Sequence, residues 1–214
     1  MSTGSPNHED TSQELSLLQT LRLKGRATPD ALASAAGIDE STVERLVESA
    51  VTAEYCTRTH QLVKLSAMGK ERLTQLAAVE RASVDHTGLE SLYEEFDSYN
   101  DELKTLVTDW QMKDAHTPND HADAAYDDEI VRRLSALHES FLPWLGKLAA
   151  LNRRLAHYTA RFDNALQKIS GGNHSFIARP IADSYHTVWF ELHEELIGLL
   201  GRDRASEAAA GRAV

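Results

Sequence analysis

Apolar residues recur every three to four positions along most of this 214-residue chain, which predicts a mainly α-helical fold. In the first third the helical segments are short. An apolar series from Leu15 to Leu21 predicts a first helix. Thr28-Pro29-Asp30 marks the start of a second helix, which Gly37 ends, and Asp39 is placed to cap a third.

The pattern then changes to two short strand-like segments. Residues 54–58 and 62–65 are separated by three residues, a spacing that predicts a tight β-hairpin. Ser66 follows the second strand and is expected to open a fourth helix. The predicted order is therefore three helices, a two-stranded hairpin and a helix.

Longer amphipathic stripes fill the rest of the chain. They run from Leu89 to Trp110, from Ile130 to Phe141, from Leu145 to Ile169 and from Ile181 to Leu199. Pro143 is expected to break or kink the helix there, or to start the next one. Four helices with one apolar side each must bury those sides together, which predicts an all-α helical bundle.

Composition and charge divide the chain at the same place. The net charge is −11, of which residues 1–82 carry −2 and residues 83–214 carry −9. The polar stretch 83–88 interrupts two helical patterns. We therefore expect one domain over residues 13–82, a helical domain over 83–203, and disordered tails at 1–12 and 204–214.

Two segments of the first domain resemble a known family. AAGIDESTVERLVES and VKLSAMGKERL are similar to the helix-turn-helix and to the exit from the wing in winged helix-turn-helix regulators of the bacterial MarR and PadR kind. The resemblance covers about residues 13–82. It implies a winged helix that binds double-stranded DNA, with the third helix in the major groove and the hairpin as the wing.

The resemblance points to a set of DNA-binding candidates on the third helix, the wing and the segment before the second helix. They are Arg26, Thr28, Ser41, Thr42, Arg45, Arg58, His60 and Lys64. Cations at these places can neutralise phosphates, and small polar side chains can contact base edges. Glu44 and Glu48 on the same helix are unfavourable near phosphate.

Polar and aromatic residues beside the later stripes suggest a small-molecule pocket between helices. The candidates for ligand binding are Tyr99, Trp110, Asn152, Arg153, His157 and His186. Segments 109–111 and 151–154 are the first places to look. In the alternative interpretation, the aromatic rings fill the core and the arginines pair with acids of neighbouring helices.

The sequence contains no pattern that points to an enzyme. It has no Walker loop, no GxGxxG, no GxSxG and no HExxH, and its single cysteine, Cys56, excludes a multi-cysteine zinc site. A loop with His116, His121 and several aspartates could bind a metal, but such loops are more often solvated. We expect no catalytic residues, no metal and no cofactor. Cys56 is expected to be a small apolar residue rather than a redox sensor.

These observations favour a cytoplasmic transcriptional regulator that acts as a homodimer. In this hypothesis the helical domain dimerises, senses a small effector, or does both. One alternative is a protein–protein adaptor whose winged helix binds no DNA. Another is a metal-dependent helical enzyme with a winged-helix appendage. Residues 1–10 lack an apolar core, so no signal peptide is predicted, and no apolar run is long enough to span a membrane.

Overall fold

A computed structural model describes residues 8–202 and residue 207. The chain divides into two compact units, residues 1–83 (unit 1) and residues 84–214 (unit 2). The described residues form eight α-helices and one two-stranded antiparallel hairpin, so the prediction of a mainly helical fold with a small hairpin is confirmed. None of these helices is both long and apolar enough to cross a membrane.

Unit 1 contains four helices and the hairpin. The elements are α1 (His8–Lys24), α2 (Pro29–Ala36), α3 (Glu40–Thr52), β1 (Cys56–Thr59), β2 (Leu62–Leu65) and α4 (Ala67–Ser83). Helix α1 begins at His8, so the prediction of a disordered tail over 1–12 is wrong for residues 8–12, and residues 1–7 lie outside the described residues. Acidic Glu9 and Asp10 suit the first turn of α1 because of the helix dipole.

One apolar core holds unit 1 together. Helices α1, α2, α3 and α4 contribute to it, together with the inward side of the hairpin. Its members include Leu17, Leu18, Leu21, Leu32, Val43, Val47, Val63, Leu73 and Leu76. Gly37 ends α2 with φ 65°, a left-handed conformation that a glycine adopts without steric cost. Asp39 then caps α3 by accepting a hydrogen bond from the Thr42 N–H.

The hairpin is extended by a third short stretch of chain. Arg58 lies opposite Val63 in the β1–β2 register. On the other edge of β2, Ala27 and Val63 exchange two backbone hydrogen bonds of 3.1 and 2.8 Å. Because this bridge is antiparallel, Arg26 faces Lys64 across it. The segment before α2 is thereby tied to the hairpin.

Unit 2 is a bundle of four helices. They are α5 (His86–Gln111), α6 (Ala124–Leu151), α7 (His157–Ser170) and α8 (Tyr185–Leu200), with 3₁₀ turns at Arg153–Ala156 and His174–Phe176. Helix α5 packs on α6 and α8, and α7 also packs on α6 and α8, so the four helices enclose one core. Buried rings fill its centre: Phe96, Phe141, Trp144, Phe162, Tyr185 and Trp189.

Two boundaries in unit 2 differ from those expected. Helix α6 continues through Pro143, where a break or kink was predicted, and ends at Leu151. The break lies instead at Asn152, whose side chain accepts a hydrogen bond from the Arg154 N–H and opens the 3₁₀ turn. The prediction of a single helix over 145–169 is therefore wrong. A proline costs a helix one backbone hydrogen bond, and burial of Trp144 and Leu145 around it offsets that loss.

The predicted C-terminal tail, 204–214, lies outside the described residues except for Glu207. That residue is 3% exposed and its Oε2 accepts a hydrogen bond of 2.7 Å from the Tyr93 hydroxyl. Tyr93 also bonds to His193 Nε2 at 2.9 Å. At Glu207 the chain is therefore held by a buried hydrogen bond, contrary to the predicted disorder.

Candidate functional site

Helix α3 exposes polar residues on its outer face. Ser41, Arg45, Glu48 and Ser49 are exposed, while the apolar side of the helix is buried in unit 1. The Ser41 hydroxyl donates to Asp39 Oδ1 at 2.6 Å. This bond, together with the Thr42 N–H, lowers the pKa of Asp39 to about 2. Ser41 therefore takes part in the cap of α3.

The two arginines of α3 and β1 that are predicted to contact DNA each have an acidic neighbour. Arg45 lies 3.7 Å from Asp10 of α1, and both side chains are more than half exposed. Arg58 of β1 donates to Glu44 of α3 at 2.5 Å. Both pairs stand at the surface, where an ion pair contributes about 0–1 kcal/mol. A phosphate could displace either acid at small cost.

The other DNA-binding candidates surround the hairpin. Arg26 and Lys64 are exposed and face each other across the Ala27–Val63 bridge. His60 lies in the hairpin turn with φ 57°. Thr28 holds the N-cap position of α2 with an extended backbone, yet its side chain makes no capping hydrogen bond. The candidates thus fall into two groups, on the α3 face and around the hairpin, which the Arg58–Glu44 pair connects.

Cys56 faces the core of unit 1. It is 2% exposed, and burial raises the pKa of its thiol to about 11. A thiol with so high a pKa holds almost no thiolate at neutral pH, and the thiolate is the reactive form. Cys56 therefore occupies the place of a small apolar side chain in the core of unit 1.

The predicted ligand-binding residues do not converge on one site. Tyr99 donates from its hydroxyl to the Ser140 carbonyl at 3.2 Å, between α5 and α6. Asn152 caps the 3₁₀ turn, Arg153 beside it is exposed, and His186 is half-buried in the first turn of α8. Only Trp110 of the six lines the cleft described below.

Two arginines near the start of α7, Arg154 and Arg161, are buried and paired, as in the alternative interpretation. Arg154 donates twice to the carboxylate of Glu195, at 2.9 and 2.7 Å, and both side chains are about 5% exposed or less. Arg161 lies 2.6 Å from Glu191 and 3.2 Å from Asp183. We call these five residues the α7–α8 polar layer. Three acids face two arginines in this layer, so the arginines offer no free cationic surface.

His157 lies beside the α7–α8 polar layer. Its Nδ1 donates to the Arg154 carbonyl at 2.8 Å. Burial lowers the pKa of His157 to about 4, and the neighbouring Arg161 and Arg154 add to the effect. The ring is therefore neutral at physiological pH and cannot supply positive charge to a ligand.

An open cleft of about 610 Å³ lies where the loop after α5 meets the segment between α7 and α8. Its lining is Trp110, Gln111, His121, Asp127, His174, Ser175, Ala178 and Arg179. Of these, only Trp110 was a predicted ligand-binding residue. His121 was a candidate only for a metal site. The residues from 174 onwards are distant in sequence and follow no helical stripe, so no sequence pattern indicated them.

A hydrogen-bonded network shapes the floor of the cleft. Asp127 accepts from Asn119 Nδ2 at 2.9 Å through Oδ1 and lies 3.0 Å from His121 Nδ1 through Oδ2. The Asn119 amide also donates to the Trp110 carbonyl. The His121 ring rests on the Trp110 ring, with centroids 4.2 Å apart. His121 has φ 56°, an uncommon conformation for a residue other than glycine.

Within the described residues, no group of three or more His, Cys, Asp or Glu side chains is placed to hold a metal ion. Comparison of the chain with models of known protein families, with curated proteins and with solved structures found no match.

Proposed function

We propose that this protein is a DNA-binding regulator in which unit 1 contacts double-stranded DNA through α3 and the hairpin. The observation that carries the proposal is the arrangement of unit 1. Helices α2 and α3 are joined by a tight turn at Gly37, and the hairpin that follows is bridged to Ala27 just before α2. This order supports a winged helix-turn-helix, in which α3 enters the major groove.

The exposed side chains of unit 1 support the same function. Arg45 and Ser49 stand on the outer face of α3, where they can contact base edges or phosphates. Arg26 and Lys64 are exposed cations that flank the Ala27–Val63 bridge, where they are suited to contacting a phosphate backbone. The acids that neighbour Arg45 and Arg58 are exposed, so their competition with phosphate is weak.

The proposed regulator acts as a homodimer on a two-fold operator. One recognition helix covers only a half-site, and a second copy supplies the other half. The helical bundle of unit 2 either holds the two copies together or senses a small effector. An effector that prefers one arrangement of the dimer would then change operator affinity.

Selection of binding sites from a pool of random duplexes, at about 0.1 M salt, tests the proposal. We expect an enriched sequence with two half-sites about ten base pairs apart. Arg45→Gln should weaken binding to that site, whereas Asp10→Asn should strengthen it, because the substitution removes the acid that neighbours Arg45. The control is Arg132→Gln, which removes an exposed arginine of α6 that pairs with Glu129. This variant should bind like wild type.

Failure to enrich any sequence with the folded protein would count against DNA recognition. So would an enriched site whose affinity is the same for wild type, Arg45→Gln and Asp10→Asn. In either case the surface of α3 would have another use.

That other use is a protein–protein adaptor, and one observation favours it. Three acids, Glu40, Glu44 and Glu48, recur every four residues along α3, and Glu44 already pairs with the wing residue Arg58. An acidic helix face is suited to a basic partner protein. Such an adaptor would show no sequence preference for DNA at any salt concentration and would retain a partner through purification.

A further inference from the structure

The cleft of unit 2 contains a histidine that is hydrogen-bonded to a buried carboxylate. His121 Nδ1 lies 3.0 Å from Asp127 Oδ2, and the two residues come from the loop after α5 and the first turn of α6. The Asp127 side chain is 9% exposed, whereas that of His121 is 42% exposed, and both residues line the cleft. A buried acid that holds an accessible imidazole is typical of general-base catalysis.

The Asn119 side chain determines which nitrogen of His121 carries the proton. Its Oδ1 accepts the His121 backbone N–H at 3.1 Å, which fixes the orientation of the amide. The two hydrogens of Nδ2 then go to the Trp110 carbonyl at 3.1 Å and to Asp127 Oδ1 at 2.9 Å. Nδ2 also lies 3.2 Å from His121 Nδ1, but it has no third hydrogen to donate. Because a carboxylate only accepts, Nδ1 carries the proton that bonds to Asp127 Oδ2.

This tautomer leaves Nε2 of the neutral His121 ring as a basic nitrogen. Nε2 makes no hydrogen bond with any residue that the structure describes. The ring also lies against the Trp110 ring, with centroids 4.2 Å apart. The imidazole is therefore oriented before any substrate binds, and the negative charge of Asp127 stabilises the imidazolium that forms when Nε2 takes a proton.

Three other features of the cleft restrict the class of substrate. Arg179 lines it and offers guanidinium N–H groups to an oxygen that gains negative charge. The volume of about 610 Å³ lies in the range of sites for small organic molecules, about 300–1,000 Å³. Residues 83–214 carry a net charge of −9, which disfavours a polyanionic substrate in unit 2. A small neutral ester meets all three conditions.

We propose that this cleft hydrolyses small carboxylic esters, with His121 as the general base, Asp127 as its positioning residue and Arg179 as the donor to the oxyanion. His121 Nε2 removes a proton from a water molecule as the water oxygen attacks the carbonyl carbon of the ester, whose carbonyl oxygen becomes the oxyanion. The intermediate then breaks its bond to the alkoxy group, which leaves as an alcohol with the proton from Nε2. The products are a carboxylic acid and an alcohol, and the imidazole is neutral again.

Such a site carries no sequence motif, so the expectation of no catalytic residues did not cover it. The site lies wholly within unit 2. It is independent of DNA binding by unit 1, and either proposal can fail without the other.

Hydrolysis of p-nitrophenyl acetate by the full-length protein, followed through the release of p-nitrophenolate, tests the proposal. We expect His121→Ala to lower kcat/KM by about a hundredfold, the usual contribution of a general base. The matched control is His116→Ala, which removes an exposed histidine of the same loop that does not line the cleft. This control should hydrolyse the ester at the wild-type rate.

The Asp127→Asn variant tests the positioning role with a second measurement. The new amide still accepts from Asn119 through its oxygen, but its nitrogen donates to His121 Nδ1, so the ring proton moves to Nε2 and the base is lost. Nitrogen-15 NMR of the His121 ring should show Nδ1 protonated in wild type and Nε2 protonated in the variant, with kcat/KM lowered at least about tenfold. The indole N–H signals of Trp144 and Trp189, which donate inside the core, should stay in place in each variant and show that it is folded.

A further pair of variants tests the donor to the oxyanion. Arg179→Gln should lower kcat at least about tenfold, because it removes the charged donor. Arg153→Gln removes an exposed arginine of the same unit that does not line the cleft, and its kcat should equal that of wild type.

Several results would overturn the proposal. One is an equal rate of hydrolysis in wild type and His121→Ala, since the reaction would then take place elsewhere. Another is a wild-type His121 ring that is protonated on Nε2 rather than Nδ1. A third is an equal loss of activity in His121→Ala and His116→Ala, or in Arg179→Gln and Arg153→Gln, which would indicate a general effect of surface residues rather than a built site.

Discussion

At the scale of single residues, Gly69 shows how a close approach between elements restricts a position. It lies in the first turn of α4, beside the backbone of Tyr55. The Tyr55 carbonyl accepts a hydrogen bond from the Ser66 N–H at 3.0 Å, and a Cβ at position 69 would lie 1.9 Å from that oxygen. The Gly69 N–H in turn donates to the Ser66 hydroxyl at 3.0 Å. No side chain fits there unless α4 moves.

We therefore expect Gly69→Ala to lower the free energy of unfolding of unit 1 by about 2 kcal/mol, the usual size of an overpacking cost. Gly146→Ala is the matched control. Position 146 also lies inside a helix, but a Cβ there meets nothing within 4 Å, so the substitution should stabilise α6 by about 0.5–1 kcal/mol. Urea unfolding followed by far-ultraviolet circular dichroism measures both. Equal effects of the two substitutions would contradict the steric explanation.

At the scale of elements, the contact between α7 and α8 differs from the rest of the bundle because it is ionic. The α7–α8 polar layer places Arg154 and Arg161 opposite Glu191 and Glu195, all nearly inaccessible to water. Removing one partner would leave a buried charge unpaired, which is strongly destabilising. A shift of one helix along the other would separate these charges, so the layer favours the observed register of α7 and α8.

His157 makes this contact sensitive to acid. Its pKa is lowered to about 4 in the folded protein, whereas an unfolded histidine titrates near 6.5. Below about pH 6.5 the unfolded chain gains a proton that the folded chain does not take up until about pH 4. Acid therefore favours unfolding of unit 2 across this interval.

When the pH falls from 7 to 5, we expect the free energy of unfolding to fall by roughly 2 kcal/mol less in the His157→Gln variant than in wild type. The reason is that the variant has no imidazole to protonate. Tryptophan fluorescence during urea unfolding reports on unit 2, which contains all three tryptophans. His116→Gln, a change at an exposed loop histidine, is the control and should follow the wild-type curve. If the free energy of unfolding changed equally with pH in wild type and in His157→Gln, the lowered pKa of His157 would be contradicted.

At the scale of the whole molecule, the charge is uneven. The net charge is −11, and residues 1–82 contribute only −2 of it. A strongly acidic protein is repelled by DNA at long range, so the proposed DNA contact must come from local cations. Arg45 on α3, Arg58 and Lys64 on the hairpin, and Arg26 beside Ala27 are exposed cations of unit 1. Their contribution to affinity is electrostatic and falls with salt.

If all four cations contact phosphates, log K should fall with log salt at a slope of about −3.6 per copy of the chain. Raising salt from about 50 to about 200 mM would then weaken binding roughly a hundredfold per copy. Fluorescence anisotropy with the selected duplex measures the slope. Lys64→Gln should reduce its magnitude by about 0.9, whereas the α6 variant Arg132→Gln should not change it. Binding that does not respond to salt would contradict a phosphate contact by these residues.

Local patterns in the sequence were enough to determine most elements. The spacing of apolar residues, the caps at Asp39 and Gly37 and the short hairpin between residues 59 and 62 all depend on interactions within a few positions of the chain. The exceptions are Pro143 and Asn152. A rule based on neighbouring residues placed the helix break at the proline, but packing of Trp144 and Leu145 keeps α6 intact and moves the break to Asn152.

Only the tertiary structure decided which polar residues are available for function. Arg154 and Arg161 lie within two helical turns of each other in the sequence, and acids 41 and 30 positions further along the chain pair with them inside the bundle. Conversely, Trp110 and Arg179 are distant in the sequence, and only folding places them at one cleft. The sequence by itself determined the helices because helix signals are local. Pairing between charges depends on distances across the fold, which local spacing does not encode.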